Sequence, residues 1–220
     1  MKMLNHFALI LVTLSFGILL QSCEKEETET PLTIQERLET ETPIELFNSG
    51  VSLDDLYGKT YEGGLIFYLN TSDGTGLLAA PFNLGEQNIF WGCPMTDLAG
   101  LPNVEDFPED PETAESAKLG DGRANTEVIL AECGEDGSAA KLCADLEASG
   151  KDDWFLPSRE ELSLIYLNLK VKGHGDFPDD FYWTSTEFND GAAWGIAFNS
   201  GASSSIPKGV GYRARPVRAF

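Results

Sequence analysis

The spacing of apolar positions changes along the chain, and each change predicts a different element. Phe7 to Leu20 is a run of 14 residues without a charge. Residues 24–31 then offer nothing that can build a core. Between 32 and 57 the apolar residues recur at short helical spacings: Ile34 and Leu38, Ile44 and Phe47, Leu53 and Leu56. Pro43 and Ser49-Gly50 punctuate them, which predicts a small helical lead-in packed on the main domain. Gly63 to Leu69 reads as a strand, Ser72-Asp73-Gly74 as a turn and Gly76 to Ala80 as the returning strand of a β-hairpin.

From Asp97 to Lys118 the pattern loosens. Residues 104–116 hold six acids, two prolines and no basic residue, which predicts an exposed loop. Asn125 reads as an N-cap before Val128, Ile129 and Cys133, with Gly134 as the stop. A second helix carries Ala139, Leu142, Cys143 and Leu146 on one face and ends by Gly150. Trp154-Phe155-Leu156 reads as a short strand. Ser158-Arg159-Glu160-Glu161 forms a capping box for a third helix whose buried stripe is Leu162, Ile165, Tyr166 and Leu169. Phe181 to Thr186, Ala193 to Phe198 and Gly211 to Phe220 read as strands. Helices in the middle and antiparallel strands at both ends predict an α+β fold in which the terminal strands pair.

The first run is too short for a comfortable span, since a membrane helix needs about 20 residues. With Lys2 before it, it reads as a signal peptide over residues 1–22. Leu20-Gln21-Ser22-Cys23 resembles the lipobox of bacterial lipoproteins, which implies lipidation at Cys23 and a membrane anchor. Residues 23–31 then form an acidic tether, 32–57 the lead-in and 58–220 the main domain. Glu24-Lys25-Glu26-Glu27 also resembles a surface-export signal, so an outer-membrane lipoprotein is expected, on the surface or the periplasmic face.

Charge narrows the partners. The chain carries −21, and loss of Lys2 with the signal takes it to −22. Such a surface repels nucleic acid and sulfated polysaccharide. Cys93, Cys133 and Cys143 remain in the domain, so one disulfide and one buried thiol are expected, with the pairing open. Their spacing fits no zinc pattern.

Several blocks occur in order: Tyr61-Glu62-Gly63-Gly64-Leu65-Ile66-Phe67-Tyr68, Trp91-Gly92-Cys93, Ala124-Asn125-Thr126, Asp153-Trp154-Phe155-Leu156-Pro157-Ser158, Tyr182-Trp183-Thr184-Ser185-Thr186-Glu187, Ala193-Trp194 and Val217-Arg218-Ala219-Phe220. Together they resemble the Lcl C-terminal domain family over about residues 58–220. The resemblance implies a C-type-lectin-like fold and a role in attachment. The family's founding member binds sulfated glycosaminoglycans, a ligand that the acidic charge of this chain disfavours. The acidic loop between Cys93 and Gly120 is a further departure.

The candidate chemistry is that of a binding protein, not an enzyme. His174 lies in a glycine-flanked loop with no nucleophile in sequence reach, and no Gly-x-Ser-x-Gly or His-Glu-x-x-His occurs. Glu187, Asn189 and Asp190 offer hard oxygens in an expected loop, a weak calcium candidate; no cofactor is otherwise expected. Trp194 is the tryptophan with the best chance of partial exposure for stacking on a sugar. Lys208, Arg213, Arg215 and Arg218 make the C-terminus the basic part of an acidic chain. Pairing with surface carboxylates is the favoured account, and Arg213 and Arg215 as contacts for an acidic ligand the other. The expectation is a lipid-anchored adhesion protein that recognises a glycan or protein; the alternative is a structural or assembly lipoprotein without a soluble ligand.

Overall fold

The computed structural model describes residues 30–105 and 116–220. Met1–Pro31 and Leu32–Phe220 are separate units, and all named elements belong to the second. Cys23 and the signal-like run lie outside the described residues, as does 106–115 of the acidic loop. No helix among the described residues is long and apolar enough to cross a membrane.

The lead-in is three short helices, α1 (Ile34–Arg37), α2 (Pro43–Asn48) and α3 (Leu53–Leu56). Helices this short are unstable alone. Capping boxes at Thr33/Glu36 and Thr42/Glu45 satisfy their first amides, and Pro43 fits the first turn of α2. Their apolar faces place Leu38, Leu46 and Leu56 against Ile66, Leu69 and Leu78 of a sheet.

That sheet contains β1 (Thr60–Tyr61), β2 (Gly64–Leu69), β3 (Gly76–Ala79) and β9 (Val217–Ala219), in the order β1-β2-β3-β9. The hairpin and the pairing of the terminal strands are both as expected. Its second face sends Leu65, Phe67, Leu77 and Ala79 into the central core with Phe155, Leu162, Ile165, Leu169 and Tyr182. A sheet covered on both faces explains the near-continuous apolar run in β2.

The second sheet has the order β4-β8-β5-β6-β7, from β4 (Leu84–Ile89), β5 (Phe181–Asn189), β6 (Ala192–Ala197), β7 (Ala202–Pro207) and β8 (Tyr212–Ala214). All pairs are antiparallel except β5 with β8. Three helices complete the domain: α4 (Asp121–Glu132) and α5 (Ala139–Ala144) pack on the second sheet, and α6 (Arg159–Ile165), which continues into a π-helical turn, Tyr166–Lys170, packs against both. The fold is therefore α+β.

Three local expectations are corrected. Asn125 is not a cap: α4 starts four residues earlier, and the Asn125 amide is buried, donating to Ser116 O and Ser185 Oγ. Trp154-Phe155-Leu156 forms a single bridge, Phe155 to Val217, rather than a strand. The C-terminal run breaks at Arg215-Pro216, where β8 ends and β9 begins in the other sheet. Cys93 and Cys133 form the disulfide and Cys143 is the buried thiol, its ionisation pushed up by burial.

Candidate ligand-binding surface

The candidates on β5 and β6 serve the fold's interior. Trp194, the candidate for partial exposure, is instead buried, at 4% exposed. Its ring meets Val104 and Ala117, its Nε1 donates to Val104 O at 2.8 Å, and the Arg159 guanidinium lies 5.0 Å from its centre. Glu187 is not in a loop but on β5, and fully buried. Its carboxylate pairs with Lys208, also fully buried, and accepts from Leu98 N–H at 3.4 Å. Lys208 Nζ further donates to Thr96 O at 2.7 Å and lies 4.8 Å above the Trp91 ring. Burial raises the Glu187 pKa, and Lys208 draws it back down.

The same stretch of β5 holds both stems of the acidic loop. Val104 N donates to Glu187 O at 3.1 Å on one side, and Thr186 Oγ1 donates to Ser116 O at 2.8 Å on the other. Asn189 is the last residue of β5 rather than a loop residue, and its Oδ1 accepts from Gly191 and Ala192 across the turn at Asp190. With Asp190, Asp97, Asn103 and Glu105 it borders a shallow acidic depression. Glu187 is spent on Lys208 and Asn189 Oδ1 on the turn, so Glu187, Asn189 and Asp190 do not converge as a trio of calcium ligands.

The basic residues separate. Arg213 Nε donates to Asp180 Oδ2 at 3.0 Å, and Arg218 pairs with Asp153 and Glu62 at 2.8 and 3.2 Å. Pairing with carboxylates is thus the role of both; for Lys208 the partner is interior rather than on the surface. Among the described residues Arg215 has no carboxylate partner, and it is fully buried. His174 rests against Gly58, where a Cβ would lie 2.3 Å from the imidazole.

Glu161 is a residue that sequence reading assigned only to a cap. Its carboxylate accepts from Ser158 N–H at 2.8 Å and Gly120 N–H at 2.9 Å, joining the starts of α6 and α4. Burial pushes its pKa up to about 7, against the pull of the Ser158, Gly120 and Gly122 amides.

The aromatic concavity lies elsewhere, between α2 and the first sheet. Tyr61 and Phe220 meet edge to face, 5.2 Å apart, and with Pro43 and Ile44 they line a hollow of about 260 Å³. Thr42, Glu62, Asp73 and Gly74 supply its polar rim. The rim carboxylates are anchored: Glu62 by Lys151 and Arg218, Asp73 by Thr75 and Asn70. Sequence reading singled out neither ring, because the hollow exists only once the lead-in folds onto the sheet.

The model of the Lcl C-terminal domain matches residues 109–218, half of the chain. The chain belongs to the Lcl C-terminal domain family. No curated protein shows significant similarity to it. Among solved structures, it is similar to a fimbrial protein from Bacteroides ovatus ATCC 8483, at 17% identity and a TM-score of 0.47. That likeness covers 66% of this chain and 36% of the fimbrial protein, too little to carry a functional argument.

The Lcl C-terminal match divides the candidates. Trp194, Glu187, Asn189, Asp190, Arg213 and Arg215 fall inside it, whereas Tyr61, Phe220 and the lead-in helices fall outside. The family region thus supplies the buried charges and the Ser116 stem of the loop, and the flanking segments supply the Val104 stem and the aromatic hollow.

Proposed function

We propose that this is a lipid-anchored envelope protein, acylated at Cys23 on the outer membrane, whose lectin-like domain binds a glycan without catalysing a reaction. The observation that carries this reading is the hollow of Tyr61 and Phe220, rimmed by Thr42, Glu62 and Asp73. Aromatic faces stack on the apolar face of a sugar ring, and anchored carboxylates accept from its hydroxyls. A non-catalytic role is supported by where the most strongly shifted groups lie: Glu161, Cys143, Tyr182 and Arg215 are buried and line neither the aromatic hollow nor the acidic depression. The burial of Trp91, Trp154, Trp183 and Trp194 favours the second reading, a structural lipoprotein, because it removes the largest stacking surfaces.

The test is a glycan array probed with residues 24–220, with calcium and again with chelator, alongside Tyr61→Ala. The expected outcome is binding that survives chelator and falls at least about tenfold in the variant, the loss of one stacking contact. Binding lost with chelator would assign a calcium-dependent lectin instead. No binding in either condition would favour the structural reading.

A further inference from the structure

Arg215 sits where a buried cation is least expected. Its Nη1 donates to Asn83 Oδ1 at 2.7 Å and to Asp176 O at 3.1 Å, and its Cζ lies 3.9 Å above the Phe177 ring. These partners carry no formal charge. Nε and Nη2 are buried and have no hydrogen-bond partner. The carboxylates nearby do not fill that role. Asp180 is engaged by Arg213, and Asp176 is exposed and makes no salt bridge with Arg215.

The two unpartnered nitrogens share one edge of the guanidinium, and that edge takes a carboxylate side-on through two parallel hydrogen bonds. Arg37 uses the same edge on Glu41 in this protein, at 2.7 and 2.8 Å. At Arg215 the backbone packed beside Nη2 is that of a glycine. A Cβ on Gly175 would stand 3.2 Å from Nη2, 2.8 Å from the Phe177 ring and 3.1 Å from Leu65 Cδ1, too close for a side chain to fit without a shift. Gly175 is itself exposed, with φ +72°. The nearest approach to Nη2 from solvent is therefore by way of Gly175.

We propose that the Nε/Nη2 edge of Arg215 is the recognition element of a carboxylate-binding site, entered past Gly175. The site is separate from the aromatic hollow, and the proposal does not depend on glycan binding there. One cation balances one negative charge, and the walls are apolar, so a singly charged carboxylate fits better than a doubly charged sulfate. The carboxylate can belong to a free small acid, an acidic sugar or an acidic residue of a peptide; the chemistry recognised is the same.

The full chain, held in nonionic detergent, is melted in acetate, galacturonate, a blocked aspartyl dipeptide or sulfate at one ionic strength. The same series is run on Arg215→Met, Arg215→Lys and Asp176→Asn. The expected result is a midpoint raised by about 2–4 °C with carboxylates over sulfate. The rise is absent in Arg215→Met and at least halved in Arg215→Lys, which keeps the charge without the planar edge. The carboxylate that works at the lowest concentration identifies the source. In parallel, the Arg215 Nε–H resonance shifts on addition of acetate, a readout that holds even if a variant folds poorly. A wild-type midpoint and resonance both indifferent to carboxylate overturn the proposal. So does a rise retained in Arg215→Met. A response confined to Asp176→Asn overturns it too, since the edge would then belong to Asp176.

Discussion

Lys208 and Arg215 are seven residues apart, both fully buried, and resolved in opposite ways. Lys208 meets the carboxylate of Glu187 and the carbonyl of Thr96. Arg215 meets neutral oxygens along one side, an aromatic face below, and nothing along its remaining edge. Glu161 stands between the two cases, with no opposite charge but backbone amides from the starts of two helices. The differences follow function. A matched pair ties β5 to the chain at Thr96 and Leu98, a carboxyl held by backbone amides joins two helices, and an unmatched edge is the one proposed to take a carboxylate from outside.

The largest effect expected is at the matched pair. Glu187→Gln leaves the Lys208 ammonium buried without its counter-charge, which costs about 3–5 kcal/mol. The double change Glu187→Leu with Lys208→Met recovers most of that loss, because a well-packed apolar pair also avoids the desolvation cost. Denaturant titration of Glu187→Gln and of the double variant checks this. If Glu187→Gln were as stable as wild type, the pair would not be the buried tie described.

Glu161 sharpens the comparison through pH. Its carboxyl goes from an ordinary value of 4.5 to about 7 on folding. A raised carboxyl pKa means that the native state binds the proton more tightly, so stability from this group falls as pH rises from 4.5 to 7 and is level outside that window. The shift corresponds to about 3 kcal/mol. Carboxylates whose pKa values are lowered, among them Glu62 and Asp153, act in the opposite sense at lower pH. The comparison is therefore made against Glu161→Gln, whose stability relative to wild type should improve by about 3 kcal/mol between pH 4.5 and 7. A flat difference would show that the amides from Ser158, Gly120 and Gly122 offset burial completely.

The fold was more legible than the site, for physical reasons. Periodicity and capping chemistry are local, so the hairpin, α5, and the capping box that opens α6 were readable from neighbouring residues. β4 and β7 were not, since Leu84–Ile89 is interrupted by Gly85 and Ala202–Pro207 holds three serines in a row, neither an apolar alternation. Asn125 misled because a side chain suited to a cap can equally satisfy a buried carbonyl. The charged residues hid the most. Lys208, Arg213, Arg215 and Arg218 look alike along the chain, and the carboxylate that each meets comes from 21 to 156 residues away. Nothing local distinguishes the one that meets none.

The smallest effect should come from Arg215 itself, and its smallness is the informative part. Arg215→Met forfeits two hydrogen bonds to neutral oxygens and leaves Asn83 Oδ1 with only the Tyr182 hydroxyl. Each such bond contributes about 1 kcal/mol. Against that, the change removes a cation whose pKa burial pulls down to about 10, a sign of its strained ionisation, and methionine keeps contact with Phe177. The two effects nearly cancel, so stability in carboxylate-free buffer should stay within about 1 kcal/mol of wild type. A loss as large as that of Glu187→Gln would mean that Arg215 is held by the fold as firmly as Lys208 and that the contrast between them is false. A near-neutral result would mean that the interior gains little from this arginine, whose retained charge then serves an interaction made outside the folded chain.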